Sequence, residues 1–404
     1  MSLDVNKIRN DFPILNKKIS EKKIIYLDSA ATSLTPIEVT NEILEYYNSF
    51  NANIHRSTGG LANEATKKFE DSRKKIANFI NAQAEEIIFT KNCTESLNLV
   101  SKLLSSDLKE GDEIILSMAE HNSNLLEWQD LVRKKNLQLK FIPLKKNGEL
   151  DIDYAKTLFT ERTKILAISQ ISNVLGILNP IKELTSLAHE VGAMVVVDGA
   201  QSVGHINVDV KDLNVDFLAF SAHKLLGPTG VGVLFGKKEI LKNLDPINFG
   251  GGMVSLSNES FWAEIPWRFE AGTPNISGVI AFGKAIDYFS RKGIGNVENY
   301  LKDLTSYALK KLSEIKNIIF LGPSDKLGLI SFYIKGISTT DLSLLLTNKG
   351  FQLRSGTHCS KKLFDELKIS GALRISFYIY NTKSEIDLFI KELKKQVQIL
   401  GGES

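Results

Sequence analysis

Short apolar runs alternate with amphipathic stretches through the first two-thirds of the chain, and this alternation restricts the fold more than any other feature. The runs are EIIFT (86–90), DEIILS (112–117), KILAISQIS (164–172), AMVVVDGA (193–200), DFLAFSAH (216–223) and GVGVLFG (230–236). Several are apolar at consecutive positions, so both strand faces need cover, which a parallel sheet layered between helices provides. Between them, EATKKFEDSRKKIANFI (64–80) and KELTSLAHEVG (182–192) carry apolar residues at helical spacing, and Gly192 stops the second. Strand and helix in alternation predict an α/β layered domain rather than a sandwich or a bundle.

Beyond about residue 290 the texture changes. NVENYLKDLTSYALKKLSEI (296–315) reads as a long amphipathic helix, and LISFYIKG (329–336) and ALRISFYIY (372–380) read as strands. Thr382-Lys383-Ser384-Glu385 is a capping-box pattern, followed by Ile386, Phe389, Leu393, Val397 and Leu400 on one helical face. The expected organisation is a large domain over 20–292 and a smaller α+β domain built from 1–19 and 293–404.

Composition narrows the partners. The 50 basic and 47 acidic side chains leave a formal charge of +3, which argues for neither a nucleic-acid nor a membrane partner. No apolar run approaches the ~18 residues a membrane span needs. The opening MSLDVNKIRNDFPIL lacks the apolar stretch of a secretory leader. The two cysteines, Cys93 and Cys359, form neither a CxxC pair nor a disulfide framework. The expected compartment is a reducing cytoplasm, where a free thiol is available for chemistry.

Chemistry-bearing residues gather where apolar runs end. VVVDGAQSVGH (195–205) ends in Asp198 and Gln201, and AFSAHK (219–224) ends in Ser221, His223 and Lys224. Open α/β sheets bind ligands at the carboxyl ends of their strands, so these residues are expected in one crevice. An aspartate and a lysine so placed have two readings. One is a structural ion pair. The other is a pyridoxal phosphate site, where the lysine amine condenses with the cofactor aldehyde and the carboxylate keeps the pyridine nitrogen protonated. GPTGVG (227–232) lacks the Gly-Lys-Ser/Thr ending of a nucleotide loop. His358 and Cys359 alone make a poor zinc site, so no metal is expected, and Cys359 is either an idle thiol or a nucleophile.

Taken together and in order, further segments resemble the class V aminotransferase-like pyridoxal phosphate enzymes. They are YLDSAATSLTP (26–36), NIHRS (53–57), TKNCTESLNLV (90–100), AEHNSNLLEWQ (119–129), ISNVLG (171–176) and FEAGTPN (269–275), with Asp198, Gln201 and SAHK (221–224). Two more, RSGTHC (354–359) and LRISFYIYNT (373–382), resemble the SufS-like, group II cysteine desulfurases. Thr357 stands where that group usually has a histidine, and Ser57 where glycine commonly follows the His-Arg pair.

The resemblance implies a fold-type I transferase, with a mostly parallel seven-stranded sheet and a smaller α+β C-terminal domain. It implies a cysteine desulfurase that converts L-cysteine to L-alanine and carries the sulfur as a persulfide on Cys359. The sulfur would pass to an acceptor of the SufE/SufU kind or another component of iron–sulfur cluster assembly. By the same resemblance Lys224 binds pyridoxal phosphate and His121 stacks on its ring as a proton donor or acceptor, as an imidazole titrating near neutrality suits. Asp198 and Gln201 address the ring, while Cys93, Thr94, Ser221 and His223 address the phosphate. Gly272 and Thr273 would come from the second subunit of a homodimer. Asn173 and Arg374 would grip the α-carboxylate, with Arg354, His55 and Arg56 also at the substrate, and Arg354 and His358 would favour the Cys359 thiolate. The nearer alternatives are a selenocysteine lyase or another class V aminotransferase or epimerase; a more distant one is a non-catalytic sulfur-transfer scaffold. His189 reads as structural, and His205 receives no role.

Overall fold

The computed structural model describes residues 3–19, 21–56, 59–255 and 261–401; Ser57 lies outside them. Seven strands build the large sheet: β1 (Ile87–Thr90), β2 (Glu113–Ser117), β3 (Gln138–Ile142), β4 (Thr163–Ser169), β5 (Met194–Asp198), β6 (Phe217–Ser221) and β7 (Gly232–Gly236). Their spatial order is β1-β7-β6-β5-β4-β2-β3. Only β7 runs antiparallel to its neighbours, β1 and β6; all other pairs are parallel. β1 and β6 therefore point the same way, and the carboxyl ends of β1, β2, β4, β5 and β6 share one edge.

Successive residues of these strands enter different cores, as the apolar runs predict. Ile114, Leu116, Val196 and Leu234 face one cluster, which contains Leu97, Val100 and Trp128. Ile115, Val195, Val197 and Val233 face another, which contains Phe69 and Phe282. Each such side chain, once buried, contributes about 1.5–3 kcal/mol. β3 was not among the predicted runs. Gln138 and Lys140 interrupt its apolar character, which an edge strand with solvent on one side tolerates.

A second sheet contains β8 (Ile318–Phe320), β9 (Leu329–Ile334), β10 (Arg354–Gly356) and β11 (Ala372–Ser376) in the order β8-β9-β11-β10, all antiparallel. β11 is shorter than expected. Residues Phe377 to Tyr380 are fully buried but leave the ladder, because Asn381 Oδ1 takes the Tyr378 N–H at 2.8 Å and turns the chain. The helices Ile294–Leu312 and Lys383–Ile399 pack on each other, and the latter starts with the Thr382/Glu385 capping box. The N-terminal segment lies against these elements: Phe12 meets the Tyr380 ring at 4.9 Å and Arg9 pairs with Glu385 at 2.9 Å. One apolar cluster continues from Leu166 and Leu218 in the large sheet to Phe332 and Ile375 in the small one.

No described helix is long and apolar enough to cross a membrane. Among the described residues, no group of three or more His, Cys, Asp or Glu side chains is arranged to hold a metal.

Candidate active site

The edge where the strands end opens into a cavity of about 250 Å³. Its lining includes Cys93, Thr94, His121, Asn173, Asp198, Gln201, Ser221, His223, Lys224, Arg354 and Arg374. β5 delivers Asp198 as its last residue and β6 delivers Ser221, after which one turn of 3-10 helix, Ala222–Lys224, aims the lysine inward. Among the described residues the Lys224 amine has no hydrogen-bond or ion-pair partner. Burial pushes it below its ordinary value, with Asp198 pulling the other way. An unpaired amine whose charged form burial disfavours is suited to condensation with a carbonyl.

Asp198 is 5% exposed, and its Oδ1 is already engaged by Ala200 N–H at 2.9 Å and Cys93 Sγ at 3.4 Å. Gln201 donates Nε2 to the Ala30 carbonyl at 2.8 Å. His121 holds its Nδ1 toward the Ser123 N–H at 3.1 Å, so the neutral ring carries its proton on Nε2. The expectation of an imidazole titrating near neutrality fails. Burial, and then the charge of Lys224, push His121 down to about 4.

An anion cradle forms where β1 passes into the helix Cys93–Leu104. Asn92 caps that helix by accepting the Glu95 N–H, and Cys93 N–H donates to Ser221 Oγ at 2.7 Å. Thr94 Oγ1 lies 2.7 Å from Ser123 Oγ, and His223 Nδ1 lies 3.1 Å from Thr32 Oγ1. Backbone N–H groups at a helix start, hydroxyls and the macrodipole together favour a phosphate. Gly232, heading β7, permits the close approach: a Cβ there would lie 2.4 Å from the Asn92 carbonyl carbon. These donors, the unpaired amine and the buried carboxylate fit pyridoxal phosphate.

On the opposite wall Arg374, the third residue of β11, is 2% exposed. Its Nη1 donates to the Asn173 carbonyl and its Nη2 to Asp28 Oδ1, both at 3.0 Å, while its Nε is buried and has no partner among the described residues. Cys359 lies just beyond, half-buried, with Arg354 Nη2 3.5 Å from its sulfur. His358 does not help polarise that sulfur, contrary to expectation. Its Nε2 faces the Ala372 carbonyl at 3.1 Å, and burial, then Arg374, push it down to about 3 and keep it neutral.

Four anticipated residues are elsewhere. His55, Arg56, Gly272 and Thr273 line a separate cavity of about 640 Å³, where His55 Nε2 meets Glu70 Oε1 at 2.8 Å. His189 is structural as expected, bonded to Asp216 Oδ2 at 2.9 Å.

Sequence reasoning passed over Asp28, Ser123 and Glu120. Glu120, next to His121, accepts from Ser117, Asn124 and the Ser169 N–H, fastening the histidine loop to the end of β4. Each stood in a quoted segment, and only the three-dimensional partners reveal its task.

The chain has relatives along nearly its whole length. The sequence profile of the family Aminotransferase class-V matches residues 25–389. A probable cysteine desulfurase of Halalkalibacterium halodurans is 41% identical, with 99% of each chain covered. Another, of Staphylococcus aureus, is 42% identical over 100% of this chain and 99% of its own. Among solved structures, the apo cysteine desulfurase of Thermococcus onnurineus NA1 superimposes with a TM-score of 0.93 at 39% identity, covering 98% of this chain and 99% of its own. The Escherichia coli cysteine desulfurase CsdA, in an S-sulfonic acid form, gives 0.90 at 35% identity over 99% of this chain and 100% of its own. The chain belongs to the class-V aminotransferase family.

Proposed function

We propose that this protein is a pyridoxal phosphate-dependent cysteine desulfurase, converting L-cysteine to L-alanine and taking the sulfur onto Cys359. The observation that carries the reading is the unpaired Lys224 amine in one cavity with Asp198 and Arg374, beside a thiol attended by Arg354. When bound, pyridoxal phosphate supplies a carbonyl that amines attack and a ring that accepts the electron pair released at Cα.

The chain's own groups do the rest. Arg374 and its Asp28 partner present a buried cation to the substrate carboxylate, which fixes the Cα–H toward Lys224. The Lys224 amine takes that proton, a role its burial favours. Asp198, whose Oδ1 is taken by Cys93 and Ala200, would hold the cofactor's ring nitrogen protonated through its other oxygen. His121, with its proton on Nε2, would serve at the ring. The Cys359 thiolate attacks the substrate sulfur: a new S–S bond forms, the Cβ–S bond breaks and its electron pair stays with Cβ, which takes up the proton that Cys359 gave up on ionising, while Lys224 returns its proton to Cα to give alanine. The cysteine thiol thereby becomes a persulfide with no external oxidant.

The same reading extends to assembly. Gly272 and Thr273 stand apart from Lys224 in their own chain, which supports a homodimer in which a second copy donates them, with His55 and Arg56 at that seam. Residues 1–19 and 293–404 act as the smaller unit that carries Cys359, on the 20–292 platform. The Arg-x-Gly-x-His-Cys segment supports the group II, SufS-like branch and delivery of sulfur to iron–sulfur cluster assembly through a SufE/SufU-type acceptor, and two cysteines without a disulfide framework support work in a reducing cytoplasm.

Incubation with L-cysteine and mass spectrometry of the Cys359 peptide tests the reading. A mass increase of one sulfur is expected in the parent and not in Cys359→Ala, which keeps the bound cofactor's colour. Borohydride should fix pyridoxal phosphate to Lys224 and not to Lys224→Ala. Persulfide formation without Cys359, or no fixation at Lys224, rejects it.

A further inference from the structure

The loop after β4 leans its main chain on the second sheet. Four successive carbonyls each meet a donor: Asn173 O meets Arg374 Nη1 at 3.0 Å, Val174 O meets Ser331 Oγ at 2.6 Å, Leu175 O meets Lys326 Nζ at 3.1 Å, and Gly176 O meets the Leu327 N–H at 2.9 Å. Ser331 and Arg374 are paired neighbours on β9 and β11, while Lys326 and Leu327 lie in the turn between β8 and β9. Gly176 permits this approach. Its φ of 70° is left-handed, and a Cβ there would meet the Leu329 carbonyl oxygen at 3.0 Å.

Within this seam Lys326 stands out. It is 5% exposed, and no carboxylate among the described residues pairs with it. Burial alone pushes its amine down to about 8. Burying an amine without an acid costs stability, so its hydrogen bonds must hold it in place. They go to main-chain carbonyls on both sides of the seam: Leu175 O, in the loop after β4, and Leu321 O, just past β8. The lysine therefore ties the stretch that begins with Asn173 to the sheet that carries Arg374.

We propose that Lys326 is a positioning residue for the substrate carboxylate. Its amine pins the loop after β4 against the second sheet, so that Asn173 and Arg374 keep a fixed separation where the carboxylate enters. This rests on the desulfurase reading, in which those two residues receive that group. Lys326 itself stands outside the lining of the cavity that holds Lys224, so it acts through two other side chains.

Two substitutions test this. Lys326→Met keeps the aliphatic stem and removes the donors. Ser331→Ala removes the neighbouring donor to Val174 O and serves where Lys326→Met folds poorly. In holoenzyme, binding of L-alanine is followed by the absorbance of the bound cofactor, beside ethylamine, which is L-alanine without its carboxylate. Lys326→Met is expected to weaken L-alanine about tenfold, the worth of one hydrogen bond from a charged donor, and Ser331→Ala about fivefold. Ethylamine should stay within about twofold of the parent in both. Hydrogen exchange over residues 172–177, measured without added ligand, should quicken about fivefold or more in Lys326→Met. Parent-like L-alanine binding in both variants overturns the proposal. So does an equal loss for the two amines, which would make Lys326 a general support of the fold, and so does unchanged exchange over 172–177. The exchange needs no turnover and borohydride fixation at Lys224 is scored separately, so a failure of the desulfurase reading is seen apart from a failure of this one.

Discussion

Asp28 Oδ1 lies 3.0 Å from Arg374 Nη2, joining the loop that follows strand residues Ile25–Tyr26 to the middle of β11 across 346 residues of sequence. Arg374 is almost sealed from solvent, while the Asp28 side chain retains 21% exposure. Burial raises the Asp28 carboxyl above its ordinary value, and Arg374 opposes this. Removing the carboxylate strands a buried guanidinium, a change worth about 3–5 kcal/mol when the partner is itself fully buried. Given the residual exposure, Asp28→Ala is expected to cost about 2 kcal/mol in urea unfolding. It should also weaken L-alanine binding roughly tenfold, because the fork loses its orientation. Parent-like values for both quantities would remove Asp28 from the site.

The two thiols should differ in reactivity. Cys93 is 6% exposed, and burial, then the Asp198 carboxylate, push its thiol well above the usual range. Cys359 is half-buried and has an arginine at its sulfur. Native protein is therefore expected to take one equivalent of iodoacetamide, on Cys359, with Cys93 slower by roughly 100-fold. Denaturation should release the second. Two equivalents taken up at similar rates by native protein would refute the buried assignment of Cys93.

Acid should weaken the fold through its buried neutral histidines. His205 lies against Tyr378, ring centroids 4.8 Å apart and planes tilted by 37°, its Nδ1 has no partner among the described residues, and burial, then Lys224, push it down to about 3. An unfolded histidine titrates near 6.5. Between these values the unfolded chain binds the extra proton, so stability present at neutral pH is lost as the pH falls. Glu120, raised to about 7, and Glu127, raised to about 8, both first by burial, act in the opposite sense, losing stability as the pH rises. His205→Phe removes only the histidine contribution. The unfolding free energy lost between about pH 6.5 and 5 should shrink by about 2 kcal/mol, at ~1.4 kcal/mol per pH unit. An acid limb as steep as the parent's would count against a neutral His205.

What the sequence could reveal followed from whether a signal is local. Asp198 and Lys224 were legible because each breaks an apolar run at the end where α/β sheets bind ligands. Cys359 and Arg374 were legible through the resemblance that their segments carry. Asp28 was not, since its significance depends on a partner far along the chain. The neutrality of His358 was hidden too, because nothing in RSGTHC states that the ring is sealed against the Ala372 carbonyl. β3 was missed because Gln138 and Lys140 break its pattern. Residues 377–380 were read as strand because periodicity does not tell a buried turn from a buried strand.

Gly232 offers a test of the phosphate cradle that removes no polar group. It pairs with Ser221 on one side and Thr90 on the other, so the pairing uses only its backbone. A Cβ would stand 2.4 Å from the Asn92 carbonyl carbon and 2.5 Å from its Cα. Both are main-chain atoms of the turn that opens Cys93–Leu104, so a methyl displaces the turn as well as the Thr90 hydroxyl, which it would meet at 2.5 Å. Gly232→Ala is accordingly expected to fold, but with the Cys93 N–H moved off Ser221 and the helix start off its alignment with the anion. Pyridoxal phosphate affinity should fall about tenfold or more, the worth of one or two hydrogen bonds to a charged acceptor. Pyridoxal, lacking the phosphate, should bind to within about twofold of the parent, because Asp198 ends β5 and Lys224 stands in the turn after β6. An equal loss for both ligands would place the damage at the ring pocket. Undiminished affinity for pyridoxal phosphate would mean that the approach of Gly232 to Asn92 serves packing alone.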